Sequence, residues 1–167
     1  MPTDISSMRT KYEVKRKNRF FLIFPLDVGG ASLQASVLGS NRPNWKVSEQ
    51  TLEHLNTKWW LSGKPDWDTW ECTFYDYVDD NTLKAMFTWY NLVYNPTTTL
   101  MSVPSVYKKD IIIQMLGPEL EDDIVEQYTL YGAWPMSIAG GDLSMDAQGD
   151  VMNIAVTFRY DYAILNA

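Results

Sequence analysis

The sequence predicts a mainly β fold, an antiparallel β-sandwich or barrel with one packed α-helix. Three features point there: a series of extended segments separated by Gly, Pro, Asn and Asp turns, a single stretch of helical period, and no repeating βα unit or internal repeat. At 167 residues with 46% hydrophobic content, the chain is long enough to bury one core and short enough for one domain.

Residues 1–19 are polar and hold Arg9, Lys11, Lys15, Arg16, Lys17 and Arg19, six of the fourteen basic residues. The rest of the chain carries 8 Lys+Arg against 19 Asp+Glu, so charge is segregated. Residues 1–19 read as a basic arm, either solvated or laid across an acidic neighbouring subunit, with Arg16 and Lys17 as candidate contacts, ahead of one domain over 20–167. Phe20 to Leu26 reads as a buried strand; its apolar run is too short for a secretory leader or a bilayer span, and Pro25 and Asp27 interrupt it. Val28-Gly29-Gly30-Ala31 reads as a turn and Ser32 to Val37, with Leu33, Ala35 and Val37 alternating, as the returning strand of a hairpin. Gly39 to Leu55 has no clear period around Pro43 and an isolated Trp45. Residues 39–63 are therefore expected to form a long excursion or irregular hairpin. Lys58 to Ser62 is extended, and Gly63-Lys64-Pro65-Asp66 reads as a turn.

Trp70 to Tyr77 alternates Trp70, Cys72 and Phe74 with Glu71, Thr73, Tyr75 and Tyr77, and aromatics on both faces suggest that both are covered. Leu83, Met86, Phe87, Tyr90 and Tyr94 then recur at helical spacing, predicting one helix over 80–94. Asp79, Asp80 or Asn81 is available as its N-cap and Pro96 stands at its end. Asp110 to Leu116 reads as a strand, and another over Ile124 to Tyr131 is expected to end at Gly132. The last strand is the most regular: Met152, Ile154, Val156, Phe158, Tyr160 and Tyr162 on a core face, Asn153, Ala155, Thr157, Arg159 and Asp161 on a polar one.

Little in the sequence points to catalysis. No glycine-rich phosphate loop, nucleophile elbow or histidine pair is present, and one cysteine, Cys72, with one histidine, His54, cannot complete a four-ligand zinc site or an internal disulfide. No enzyme activity, metal or cofactor is expected. Asp66 with Asp68, the Glu119 to Asp123 cluster and the Asp142, Asp146 and Asp150 series could suggest a carboxylate pair or a calcium loop. Their spacing matches neither, so they read as solvated turns. The seven tryptophans would suit sugar stacking; core and subunit interface is the favoured use, because a chain this small cannot bury so many aromatics alone.

Two strings resemble a known family: Trp67-Asp68-Thr69-Trp70-Glu71-Cys72-Thr73-Phe74 ahead of the single helix, and Tyr131-Gly132-Ala133-Trp134-Pro135-Met136-Ser137-Ile138 followed by Leu143-Ser144-Met145-Asp146 and the final strand. In this order they resemble the tail tube proteins of phages with contractile tails, over roughly residues 20–162. Trp59-Trp60 and the basic first nineteen residues depart from that pattern. The resemblance implies that Gly-x-Trp-Pro forms a turn, that six subunits join their sheets into a continuous β-barrel around a channel, and that rings stack into a tube inside a sheath. It implies the helix on the outer side and the loop 39–63 on the adjacent ring. Implied partners are further copies, the tail sheath protein, a baseplate tube initiator and a tail terminator, with DNA passing through the lumen unbound; the implied location is the virion tail, assembled in the host cytoplasm. Related tubes belong to type VI secretion and other contractile injection systems.

The residues themselves supply a mechanism for such an assembly. Open sheet edges must meet partners or aggregate, and a closed ring pairs them. Six copies at −7 each carry −42, which repels DNA. Trp45, Trp59 and Trp60 are the expected inter-ring anchors, and Asn153, Thr157, Arg159 and Asp161 the expected channel-facing residues. A tube protein at the baseplate end, one from an injection system, and a carbohydrate-binding β-sandwich are the alternatives carried forward, with an acidic glycosidase further behind.

Overall fold

A computed structural model describes residues 14–78, 82–118, 123–146 and 149–166. The expected N-cap at 79–81 and most of the acidic turn, residues 119–122, lie outside them. The chain runs through β1 (Phe20–Ile23), a 3-10 turn (Leu26–Val28), α1 (Gly30–Ala35), β2 (Val37–Ser40), β3 (Trp45–His54), β4 (Thr57–Trp67) and β5 (Trp70–Tyr75). It continues through α2 (Thr82–Val93), the short pair β6 (Tyr94–Asn95) and β7 (Leu100–Met101), α3 (Pro104–Tyr107), β8 (Lys109–Leu116), β9 (Ile124–Ala139), β10 (Asn153–Arg159) and β11 (Tyr162–Asn166). The fold is mainly β and antiparallel, as the sequence predicts.

One ladder in the order β1-β8-β9-β10-β5-β2 forms the body, with β11 also on β9. The strand β9 serves two sheets. Its first part pairs with β8 and β11, and from Trp134 it pairs with β10. The change of partner falls at Gly132, whose φ of +65° is a left-handed conformation that costs glycine little. Its amide donates to Asp110 Oδ1 at 3.0 Å, and the break between β10 and β11 lies opposite, where Asp161 N donates to Tyr131 O at 2.9 Å. The expected strand end and Trp-Pro turn are therefore not seen. Gly132 bends the strand without stopping it, and Pro135 lies inside β9, opposite Phe158 at a register shift where a missing N–H is tolerated.

The bend lets the two sheets face one core. Trp70, Cys72 and Phe74 from β5 and Ile154, Val156 and Phe158 from β10 pack with Leu22, Ile111 and Leu130, all essentially inaccessible. Phe24 sits 5.7 Å from Phe74 and 6.2 Å from Phe158 between ring centroids, and Trp89 of α2 lies 5.6 Å from Phe158. Each such buried side chain contributes about 1.5–3 kcal/mol. The expected core face of the last strand holds from Ile154 to Tyr160, while Tyr162 is exposed. The second face of β5 is not covered in one copy: Glu71 is exposed, Thr73 and Tyr75 are half-buried, and Tyr77 is exposed.

Among the described residues there are three helices where one was expected. The first hairpin is replaced by α1, because Gly29 at φ +83° turns the chain, the segment from Gly30 to Ala35 has no β-branched residue, and Leu33 faces the core. β1 pairs with β8 instead of β2. The main helix spans Thr82–Val93 but is rotated from the expected stripe: Thr82, Met86, Trp89 and Val93 are buried, while Phe87 is 47% exposed. Trp89 fixes that rotation by filling the core and donating from Nε1 to Tyr107 O at 2.8 Å.

A methyl added at Gly132 would meet Asp161 Oδ2 at 2.4 Å and force a side-chain-bearing residue to positive φ. Gly132→Ala should lower unfolding stability by about 1–3 kcal/mol, read as a shift of the urea midpoint at unchanged slope.

Candidate functional site

The segment 39–63 is far more regular than its sequence suggests. After β2, the strands β3 and β4 form a two-stranded hairpin paired from Trp45↔Trp67 to His54↔Thr57, with one register shift between Val47 and Glu49, separate from the main ladder. The expected turn at Gly63-Lys64-Pro65-Asp66 lies within β4, where Pro65 pairs with Val47. A two-stranded ribbon leaves one edge of each strand open, so a residue without an N–H fits there. The tight end is Leu55-Asn56, with Leu55 at φ +52° and 92% exposed.

Opposite residues of an antiparallel pair share a face. Leu52 with Trp59 and Gln50 with Leu61 therefore present one apolar face, while Thr51 with Trp60 and Glu53 with Lys58 present the other. Trp59 and Trp60, 64% and 62% exposed, point to opposite sides of the ribbon. Trp45 stands apart from them at the base: its ring packs at a tilt against Trp67, centroids 5.6 Å apart, and Trp67 packs likewise against Tyr160 at 5.9 Å. Tyr160 OH donates to Asn44 O, and Arg159 and Lys46 pair with Asp66. The base is thus fixed to the end of β10 while the distal part projects into solvent.

The described part of the basic arm is folded onto the body. Arg19 O accepts from Leu116 N, and Lys15 pairs with Glu126, which Arg42 also approaches. Arg16 and Lys17 are exposed beside them. Burial raises the Glu126 carboxyl, but hydrogen bonds from Lys15 and Tyr128 and the charges of Arg42 and Lys15 outweigh it and hold the group below the usual carboxylate range. Among the expected channel residues, Asn153 and Asp161 are exposed and Thr157 and Arg159 half-buried. Arg159 is engaged with Asp66, and Asp161 receives Lys108 Nζ at 2.6 and 2.8 Å. Around them the outer face of the sheet mixes small and large side chains: Ala155 lies between Thr73 and Ala139, Thr157 between Glu71 and Ser137, and Asn153 stands opposite Tyr75. Cys72 is buried, which pushes its thiol far above the ordinary range. His54 is exposed at the distal end of the hairpin. No group of three or more potential metal ligands occurs among the described residues.

A family profile described as "Phage tail tube protein" matches residues 43–165, from the base of the hairpin through nearly all of β11. The chain belongs to the phage tail tube protein family. A tail tube protein of Serratia phage KSP90 is 21% identical over 126 residues, 75% of this chain and 70% of that one. In fold, this tail tube protein is similar to a chain of the PVC extracellular contractile injection system sheath-tube complex in its extended state, with a TM-score of 0.58, 18% identity and 99% of each chain covered. It is also similar to a chain of the PVC sheath/tube terminator, with a TM-score of 0.63, 17% identity, 95% of this chain and 99% of that one covered.

The folded-state value of Glu126 lies below its ordinary one, so its contribution is complete above about pH 4.3 and drains away as pH falls through the folded value. Urea midpoints measured from pH 7 to pH 3 should therefore fall less steeply below about pH 5 in Glu126→Gln than in the parent chain, with the variant already weaker at pH 7.

Proposed function

We propose that this tail tube protein polymerises as hexameric rings stacked into the inner tube of a contractile phage tail, the conduit for DNA ejection. The projecting hairpin is the observation that carries this reading. An isolated two-stranded ribbon is marginal in water, and this one exposes Leu52, Trp59, Trp60 and Leu61 on two faces. A neighbouring ring that receives it removes that apolar surface from water, with Trp59 and Trp60 as distal anchors and Trp45 stiffening the base. Laterally, the outer strands β1 and β2, each paired on one edge only, offer edges that identical neighbours complete into a continuous barrel.

The largely polar outer face around Asn153 and Thr157, with Thr73, Ser137 and Glu71 beside them, suits a channel wall, with Arg159 and Asp161 at its rim. Arg159 and Asp161 are neutralised within the chain by Asp66 and Lys108, Glu71 adds a negative charge to the same face, and the net charge of −7 per copy keeps DNA from adhering. The protein acts without catalysis, in the virion tail after assembly in the host cytoplasm, with the sheath protein outside the tube and a baseplate initiator and a terminator at its ends. A second reading, a tube of a contractile injection system, draws on the full-length fold likeness to the PVC chain and differs in the cargo.

Electron microscopy of concentrated protein should show six-fold rings and tubes. Replacing residues 50–61 by Asn-Gly should keep rings and abolish long tubes. Monomers throughout, with melting raised by glycans, would overturn the assembly reading, and long tubes from the shortened chain would remove the hairpin from the ring-to-ring contact.

A further inference from the structure

The ends of the ladder, β1 and β2, come together without pairing. Phe21 and Leu22 from β1 and Val37 and Leu38 from β2 line one groove of about 300 Å³ along this seam. Towards the base of the hairpin the seam widens to about 790 Å³, floored by Phe20, Ile113 and Met115. Its lining includes Lys15, Arg16, Lys17 and Arg42 and no carboxylate among the described residues. Glu126 answers Lys15 and Arg42 from beside the groove, which leaves the site net positive.

The opposite end of the same sheet has the opposite character. Between β9 and β10, residues 140–146 carry Asp142 and Asp146 and no cation, and they project Leu143 and Met145, 87% and 104% exposed. The register places the two features at opposite ends. Asn44, which lines the groove, accepts from Tyr160 OH beyond the end of β10, whereas the loop enters β10 at Asn153, opposite Tyr75. At about 3.3 Å per residue the Asn44 end lies roughly 20 Å from the loop along the strand and the Ser40 end, level with Val156, about 10 Å, while the floor residues Ile113 and Met115 pair with Tyr128 and Glu126, far back along β9 from its end at Ala139. A chain cannot satisfy the groove with its own loop over that distance, but an identical chain displaced along the strand direction can. Two apolar side chains flanked by carboxylates match an apolar floor ringed by cations, and a contact between different patches of identical chains repeats head to tail.

We infer that residues 142–146 of one copy seat in the Lys15–Arg42 groove of the next, Leu143 and Met145 on the apolar floor and Asp142 and Asp146 against the cationic rim. This rests on the polymerisation proposed above and names one of its contacts. Asp142→Lys with Asp146→Lys in one chain, and Arg16→Glu with Lys17→Glu in another, should each raise the concentration needed for assembly about tenfold or more, read by sedimentation. An equimolar mixture should assemble near the parent concentration, because each reversed loop then meets a reversed groove; that rescue also shows both variants to be folded. Parent assemblies together with variants that assemble equally well alone, or a mixture that fails, would overturn this contact while leaving polymerisation standing. A parent chain that stays monomeric would overturn both.

Discussion

A strand can serve two sheets only if it turns a corner, and in this chain the corner is Gly132. Its positive φ bends β9 so that the β8 and β11 side and the β10 side face each other instead of extending as one flat ladder. The aromatic cluster of Phe24, Trp70, Phe74, Trp89 and Phe158 exists because the bend brings the two sheets together over it. The polar pair Lys108 and Asp161 marks the same corner from outside, where β10 gives way to β11. Bending β9 also brings the two ends of the ladder, β1 and β2, side by side without joining them.

That unjoined seam and the hairpin beside it are the parts of the molecule that one copy leaves unfinished. Monomeric proteins rarely display a tryptophan on each face of a two-stranded ribbon with leucines beside one of them, since nothing offsets the cost of hydrating them. Membership of the phage tail tube family gives the unfinished surfaces a use. In the assembly we propose, the polar side of the sheet and the open apolar elements have separate duties, one towards a channel and the other towards further copies. No conformational switch or reactive group is needed for this division; the geometry of one folded chain contains it.

The sequence made the core strands legible because their burial is one-sided and their spacing regular. Trp70, Cys72 and Phe74, and Ile154, Val156, Phe158 and Tyr160, are buried as their alternation predicts. Where several forces competed, the pattern misled. Leu33, Ala35 and Val37 alternate like a strand, yet a turn of helix started by Gly29 buries Leu33 equally well. The main helix was legible as an element but not in its rotation, since buried Thr82 is polar and exposed Phe87 is not, and only the packing of Trp89 on Phe158 decides the phase. The hairpin read as irregular because Gly63 and Pro65 look like breakers. With an open edge on each strand they shift the register by one residue between Val47 and Glu49 without ending the pairing. For the site, the tryptophan pair was legible and its division between two faces follows from strand period alone, whereas the separation of Trp45 from the distal pair needed the register. The cationic groove was invisible in the sequence, because it joins residues 15–17 to Arg42, Ile113 and Met115 through the seam.

In the assembly we propose, identical copies complete the hairpin and the seam. Amide hydrogen exchange, followed residue by residue in dilute and in assembled protein, tests it most directly. The account predicts that amides of Trp45–Trp67 and of the edge strands β1, β2 and β11 exchange rapidly in dilute protein and slow by orders of magnitude on assembly, while Trp70–Tyr75 and Asn153–Arg159 stay protected in both. Equal exchange of the hairpin in the two states would contradict it.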